Sequence, residues 1–190
     1  PNVFDSLLGK YAIGHVRYST TGDSDPKNVG PLTFNMGKYS LSIAHNGNLV
    51  NTGKLKKELQ SNGALFQTST DTELIIHLLA REQGNSISEK LEKALLKLEG
   101  AYSLILLTPN EIIVARDQYG IRPFCIGQLN ETYIFASETC ALDLLGAEYI
   151  RDVKPGEMIV VNKRGLNSHI FIDHDEPKHC IFEYIYFSRP

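Results

Sequence analysis

Thr70-Asp71-Thr72-Glu73-Leu74-Ile75-Ile76-His77-Leu78-Leu79 and, beyond Gly100, Ala101-Tyr102-Ser103-Leu104-Ile105-Leu106-Leu107 lie on either side of a change in period. In the first stretch Thr70 stands three residues before Glu73, the spacing of a capping box with Thr70 as N-cap. Leu74, Ile75, Leu78 and Leu79 then recur at helical spacing as one apolar stripe. Ser86-Ile87-Ser88-Glu89 repeats the start signal, and Ile87, Leu91, Ala94, Leu95 and Leu98 carry a second helix to a stop at Gly100. From there on, residues 101–107, 112–116, 124–127 and 133–136 read as four strands, separated by turns at Pro109-Asn110, 117–120 and Asn130.

Working outward, residues 11–18 read as a strand that ends in the polar turn Ser19-Thr20-Thr21-Gly22, and 23–31 as a loop rich in Asp, Asn, Pro and Gly. Leu41-Ser42-Ile43-Ala44-His45 alternates as a second strand, halted by the turn sequence Asn46-Gly47-Asn48. Leu55 and Leu59 suit a short helix closed by Asn62-Gly63. Toward the other end a short helix is expected over 138–145, and strands over 158–161 and 168–172 flank a hairpin turn at Asn162-Lys163-Arg164-Gly165. Strands, then helices, then strands imply an α+β fold with antiparallel sheets covered by helices. The charged run at 173–179 reads as a linker, which divides the chain into a domain over 1–172 and a connecting segment over 173–190.

Composition narrows the function classes. The 190 residues are 42% hydrophobic and 22% charged, ordinary proportions for a globular domain with a real core. No apolar run approaches the roughly 20 residues of a membrane-spanning helix. A net charge of −3 argues against a nucleic-acid surface, which wants a basic stripe. Lys54, Lys56 and Lys57 cluster on what reads as the solvated face of a helix. Cys125, Cys140 and Cys180 are odd in number, widely spaced and free of any CxxC pair, so a disulfide framework is not expected and a reducing cytoplasm is the natural compartment.

Three polar clusters stand at the ends of expected elements. In Arg17-Tyr18-Ser19-Thr20-Thr21-Gly22, Arg17 offers a planar fork that grips a carboxylate; the competing reading is a surface salt bridge. In His45-Asn46-Gly47-Asn48, the Asn46 amide and the Gly47 N–H are two donors able to converge on an oxyanion, although Asn-Gly is also a common hairpin signal. In Ser69-Thr70-Asp71-Thr72-Glu73, capping accounts for Thr70 and Glu73 and leaves Asp71 to take an ammonium group. A carboxylate clamp, an oxyanion hole and an ammonium acceptor are what is needed to hold an α-amino acid while its side-chain amide is attacked. His15 and His77 fall inside elements and read as core histidines, while His174 and His179 lie in the acidic linker, where no fixed geometry favours a metal site. No P-loop and no GxGxxG occur.

Gly14-His15-Val16-Arg17-Tyr18-Ser19-Thr20-Thr21-Gly22, Ala44-His45-Asn46-Gly47-Asn48-Leu49 and Ser69-Thr70-Asp71-Thr72-Glu73 resemble, in order and spacing, the class II glutamine amidotransferases. Within that superfamily, Asp117-Gln118-Tyr119-Gly120-Ile121-Arg122-Pro123, Ala136-Ser137-Glu138-Thr139-Cys140-Ala141-Leu142-Asp143 and the segment 180–190 look like the amidophosphoribosyltransferase family. The resemblance implies a four-layer αββα sandwich of the N-terminal nucleophile hydrolase type. It also implies that Arg17, helped by Thr20, binds the glutamine carboxylate, that Asn46 and Gly47 form the oxyanion hole, and that Asp71 takes the α-ammonium.

In that family an N-terminal Cys-Gly supplies the nucleophile, and ammonia passes to a phosphoribosyltransferase domain. There it displaces pyrophosphate from phosphoribosyl pyrophosphate, giving phosphoribosylamine in the first step of de novo purine synthesis. Here residue 1 is Pro1 and no cysteine precedes a glycine. These 190 residues are therefore expected to be an N-terminally truncated glutaminase domain, inactive as they stand, with the phosphoribosyltransferase domain also absent. The resemblance further implies L-glutamine as ligand, a cytoplasmic homo-oligomeric parent, magnesium in that parent and, in some members, a 4Fe-4S cluster. Cys180 stands where one cluster ligand would be, with a small buried thiol as the alternative. Another class II amidotransferase (a glucosamine-phosphate synthase, an asparagine synthetase, a glutamate synthase) and a non-catalytic glutamine-binding or scaffold module are the rival readings.

Overall fold

The computed structural model describes residues 9–16, 25–37, 39–173, 178, 181 and 185. A single 3-10 turn, Pro26–Asn28, leads into strand β1 (Leu32–Met36), which turns back through Gly37 into the long strand β2 (Tyr39–Leu49). Three helices follow: α1 (Thr52–Ser61), α2 (Asp71–Arg81) and α3 (Ile87–Leu95). Strands β3 (Gly100–Leu107), β4 (Glu111–Arg116), β5 (Cys125–Leu129) and β6 (Thr132–Ala136) come next, then α4 (Cys140–Leu145), β7 (Glu148–Asp152), β8 (Glu157–Asn162) and β9 (Gly165–Ile170). Among the described residues these form a six-stranded sheet, β1-β2-β3-β4-β8-β9, and a three-stranded sheet, β6-β5-β7. Every recorded pairing is antiparallel.

The period-two alternation of the large sheet feeds two separate cores. Leu41 and Ile43 of β2, Leu104 and Leu106 of β3, Ile113 and Ala115 of β4 and Met158 of β8 face the helix layer. There they meet Leu74, Ile75, Leu78 and Leu79 of α2 and Leu91, Ala94 and Leu95 of α3. The intervening residues Val114 and Ile159 cluster instead with Phe124 and Val153, and Ile105, Ile112 and Phe135 pack against them. Each fully buried Leu or Ile in these layers contributes about 1.5–3 kcal/mol by leaving water. Helix α4 lies against β6 and β7 with Leu142 buried, and a Cβ on Gly127 of β5 would stand 2.9 Å from the Leu142 methyls. The result is a mixed α and β fold with antiparallel sheets, as the order of elements implies.

Several boundaries differ from the sequence reading. Residues 11–16 form no strand, because among the described residues no neighbouring strand offers them a ladder; Val16 is 98% exposed. Strands β1 and β7 have no counterpart among the strands expected from the sequence pattern. Asn46-Gly47-Asn48 does not stop β2: the strand continues to Leu49, with Asn46, Gly47 and Asn48 opposite Ser103, Tyr102 and Ala101 of β3. Helix α3 ends at Leu95 rather than near Gly100, and Leu98 reaches the core from the connecting segment.

The capping box at Thr70 is not formed, since Thr70 makes no side-chain cap bond. Glu73, 1% exposed, reaches past it and accepts from the N–H groups of Gln67 (2.8 Å) and Thr68 (2.7 Å) and from the Thr68 hydroxyl (2.8 Å). With the Thr68 proton spent on Glu73, the Thr70 hydroxyl donates to Thr68 Oγ1 at 2.9 Å. The second start signal holds: Ser86 Oγ caps α3 by accepting from Glu89 N.

Candidate functional site

Strand β2 carries the site because successive residues point to opposite faces of the sheet. His45 falls on the helix side with Leu41 and Ile43, whereas Asn46 falls on the side of the second sheet. Two of the expected polar clusters are therefore attached to one strand from its two faces.

On the helix side Asp71, the first residue of α2, sits where the helix dipole favours an anion. Its Oδ1 lies 3.3 Å from Nδ1 of His45, and its Oδ2 accepts from the N–H of Leu49 at 3.2 Å. Burial alone would raise the Asp71 carboxyl; the hydrogen bond and charge of His45 and the Leu49 N–H outweigh it and hold the group below the usual carboxylate range. His45 Nε2 is buried with no hydrogen-bond partner among the described residues, so the ring spends its N–H on Asp71 through Nδ1. Glu73 fixes the loop entering α2 and thereby sets where Asp71 stands. Asp71 also borders a hollow of about 100 Å³ lined by Thr52, Lys56, Phe66 and Ser69. Lys56, Phe66 and Ser69 also line a second hollow, of about 340 Å³, beside Lys27 and Asn28.

On the other face the Asn46 side chain is held at both ends. Its Oδ1 accepts from a guanidinium N–H of Arg122 at 2.8 Å, and its Nδ2 donates to the Ser137 hydroxyl at 3.1 Å. Next to it, Gly47 is required by close approach: a Cβ there would lie 2.0 Å from the carbonyl oxygen of Ala101 on β3. Asn46-Gly47 is thus a site of tight strand contact rather than a hairpin turn.

Arg122 ends a loop whose every turn is tied down. The carboxylate of Asp117, fully buried, accepts from the N–H groups of Tyr102, Tyr119 and Ile121. The neighbouring Arg116 donates to the carbonyls of Gly120 (2.8 Å), Arg122 (2.8 Å) and Val153 (2.6 Å). Ser103 Oγ donates to the Pro123 carbonyl at 3.1 Å. Lys178, from the expected linker, donates its N–H to the Tyr119 carbonyl and lays its ammonium 4.5 Å from the Tyr119 ring centroid.

Arg17, Thr20 and Cys180 lie outside the described residues, as do His174 and His179. The two described cysteines do not meet. Cys125 is buried in β5, where burial, then the charge of Asp152, pushes its thiol up to about 11. Cys140 opens α4, and its hydrogen bond to Glu138 raises it as well. Neither is an activated thiol. Among the described residues no group of three or more His, Cys, Asp or Glu side chains is placed to hold a metal ion. Among the same residues no helix is long and apolar enough to cross a membrane.

Residues 15–144 match the family described as "Glutamine amidotransferase domain", more than half of the chain. The chain belongs to the glutamine amidotransferase domain family. Over 187 residues this amidotransferase domain is 48% identical to amidophosphoribosyltransferase 2, chloroplastic, of Arabidopsis thaliana, covering 98% of the chain and 33% of that protein. It is 47% identical over 185 residues to the amidophosphoribosyltransferase of Bacillus subtilis (strain 168), covering 97% of the chain and 39% of the relative. In structure it resembles a glutamine phosphoribosylpyrophosphate amidotransferase of B. subtilis, complexed with ADP and GMP, with a TM-score of 0.87 at 45% identity, over 93% of this chain and 38% of the other. The chain is thus homologous to the amidotransferase domain of the amidophosphoribosyltransferases and spans between a third and two-fifths of the length of these relatives.

His45, Ser137 and Arg122 stand in stretches that carried the resemblance, yet no role was assigned to them from sequence. The alternation of Leu41, Ile43 and His45 was the available signal for His45. Nothing local marks Arg122 or Ser137, because their contact with Asn46 spans 76 and 91 residues of chain.

Proposed function

We propose that this domain binds L-glutamine and stabilises the attack on its side-chain amide, as the glutaminase part of an amidophosphoribosyltransferase. In this reading the four-layer αββα arrangement is completed in the whole protein, and ammonia passes on to a phosphoribosyl pyrophosphate-using domain that makes phosphoribosylamine. The observation that carries the reading is the attachment of an ionised carboxylate and a fixed amide to one strand. Asp71 is bonded to Leu49 N, and Asn46 lies three residues back, about 10 Å along the strand, so a ligand that reaches both lies along the edge of β2 beyond Ile43, where the ladder with β1 has ended. That span is about the length of an extended glutamine with a hydrogen bond at each end.

Asp71 then receives the α-ammonium, Arg17 with Thr20 clamps the α-carboxylate, and Asn46 Nδ2 with the Gly47 N–H receives the oxyanion. A thiol passes its proton to a neighbouring amine and adds to the amide carbon; the oxyanion collapses to a thioester as that proton moves to the leaving nitrogen and ammonia departs, and water then releases glutamate and restores the thiol. Cys125 and Cys140, both with raised thiols, are unsuited to the attack, so the nucleophile lies outside the described residues. With neither of these thiols activated, a polypeptide confined to residues 1–190 is expected to bind glutamine without hydrolysing it. The cysteine usage suits a reducing, cytoplasmic compartment.

Calorimetric titration of glutamine into residues 1–190, beside Arg17→Ala and Asp71→Ala, tests the pocket. Saturable binding lost in both variants is expected, and undiminished binding in either removes that residue from the site. Ammonia released from glutamine by residues 1–190, and abolished by Asn46→Ala, would overturn the placement of the thiol.

A further inference from the structure

We propose that Arg122 is the positioning residue of the oxyanion site, acting through Asn46; the inference rests on the role just given to Asn46. An asparagine amide can be turned over with little change of shape, exchanging its acceptor for its donors. Only one orientation aims N–H groups at a developing oxyanion. Guanidinium N–H groups are donors without an acceptor, so the group bonded to Arg122 at 2.8 Å must be the amide oxygen. The reversed amide would set N–H against N–H at the same distance.

Ser137 takes one Nδ2 hydrogen at 3.1 Å, and the second has no protein partner among the described residues. Acceptor and first donor are thus satisfied, and one donor remains for the substrate. A cationic donor on the carbonyl oxygen also draws density from the amide nitrogen, which strengthens that remaining N–H as a donor.

The loop around Arg122 has the rigidity this task requires. Asp117 collects three backbone N–H groups, Arg116 anchors the Arg122 carbonyl itself, and Ser103 holds Pro123. Side-chain orientation at the oxyanion site is therefore inherited from a buried network rather than from β2 alone.

The test is the glutaminase reaction of the full-length polypeptide that contains this chain, with kcat and KM measured separately for Arg122→Met, Arg122→Lys, Asn46→Ala and the Arg122→Met/Asn46→Ala pair. Arg122→Met is expected to lower kcat roughly 10- to 100-fold while KM for glutamine stays within about twofold. Arg122→Lys, still a pure donor, recovers part of the loss. In the Asn46→Ala background Arg122→Met has no further effect, since there is no amide left to orient. Multiplicative losses in the pair, or full-speed turnover by Arg122→Met beside a slow Asn46→Ala, overturn the inference and leave the oxyanion role of Asn46 standing. Unchanged kcat in Asn46→Ala overturns both. Should Arg122→Met not fold, the Asn46 side-chain amide resonances of residues 1–190 decide with Arg122→Lys. Two resolved, distinct protons shifted from their wild-type positions are expected, and unaltered shifts overturn the inference.

Discussion

The His45 ring donates to Asp71 across 3.3 Å, and four residues further along the same strand the Leu49 N–H donates to the other oxygen of that carboxylate. The strand that carries the Asn46 amide therefore also fixes the ionisation of Asp71. The folded carboxyl lies below its usual value, so the stability it supplies is fully present above the unfolded pKa of about 3.9. It is lost as pH falls through the lower folded value. Thermal melts of the wild type and Asp71→Asn are expected to differ by a constant amount above about pH 5 and to converge below about pH 4. His45→Ala, which removes the ring donor, lessens the difference above about pH 5 and brings its loss to completion at a higher pH.

Gly47→Ala places a methyl 2.0 Å from the Ala101 carbonyl, with backbone on the opposing side and no flexible side chain to yield. Strands β2 and β3 must separate at the site itself. A loss of about 2–4 kcal/mol in urea denaturation is expected, together with loss of glutamine binding. A variant as stable as the wild type would show that the ladder there has room to spare.

Glu73→Gln keeps the shape of a buried side chain but removes the charge that gathers Gln67 N, Thr68 N and the Thr68 hydroxyl, and that faces His77 Nε2 at 3.6 Å. Destabilisation of about 2–3 kcal/mol is expected, because one of those donors is left without an acceptor. Hydrogen exchange at the amides of Gln67 and Thr68 should quicken more than in α3, and glutamine affinity should fall because Asp71 is no longer held in place.

Much of this architecture is legible in the sequence. Helices over Leu74–Leu79 and Ile87–Leu95 announce themselves by spacing, and β3 to β6 follow from the switch to short β-branched and aromatic runs. Strands β1 and β7 lack so plain a signal, for different reasons. In β1, Leu32, Phe34 and Met36 alternate cleanly but are preceded by a loop rich in Pro and Gly. In β7 the exposed pairing of charged and apolar residues gives no alternation to read.

The candidate site was legible as a set of residue types, not as an arrangement. Asn46-Gly47 has the composition of a turn, and only the β3 backbone lying against Gly47 makes it a strand. Glu73 has the spacing of a capping partner, yet finds better donors one turn upstream. Contacts such as Arg122 with Asn46 depend on how the sheets fold over one another, and no local pattern encodes them.

Arg116 has a consequence for how the domain comes apart. Its guanidinium binds carbonyls of Gly120, Arg122 and Val153, which belong to two separate connections of the chain. Neither connection can open alone without costing that buried guanidinium at least one of its carbonyl acceptors. The segment bearing Arg122 and the stretch between β7 and β8 therefore form one cooperative unit that opens with the sheets, and the part of the site it carries is frame rather than lid.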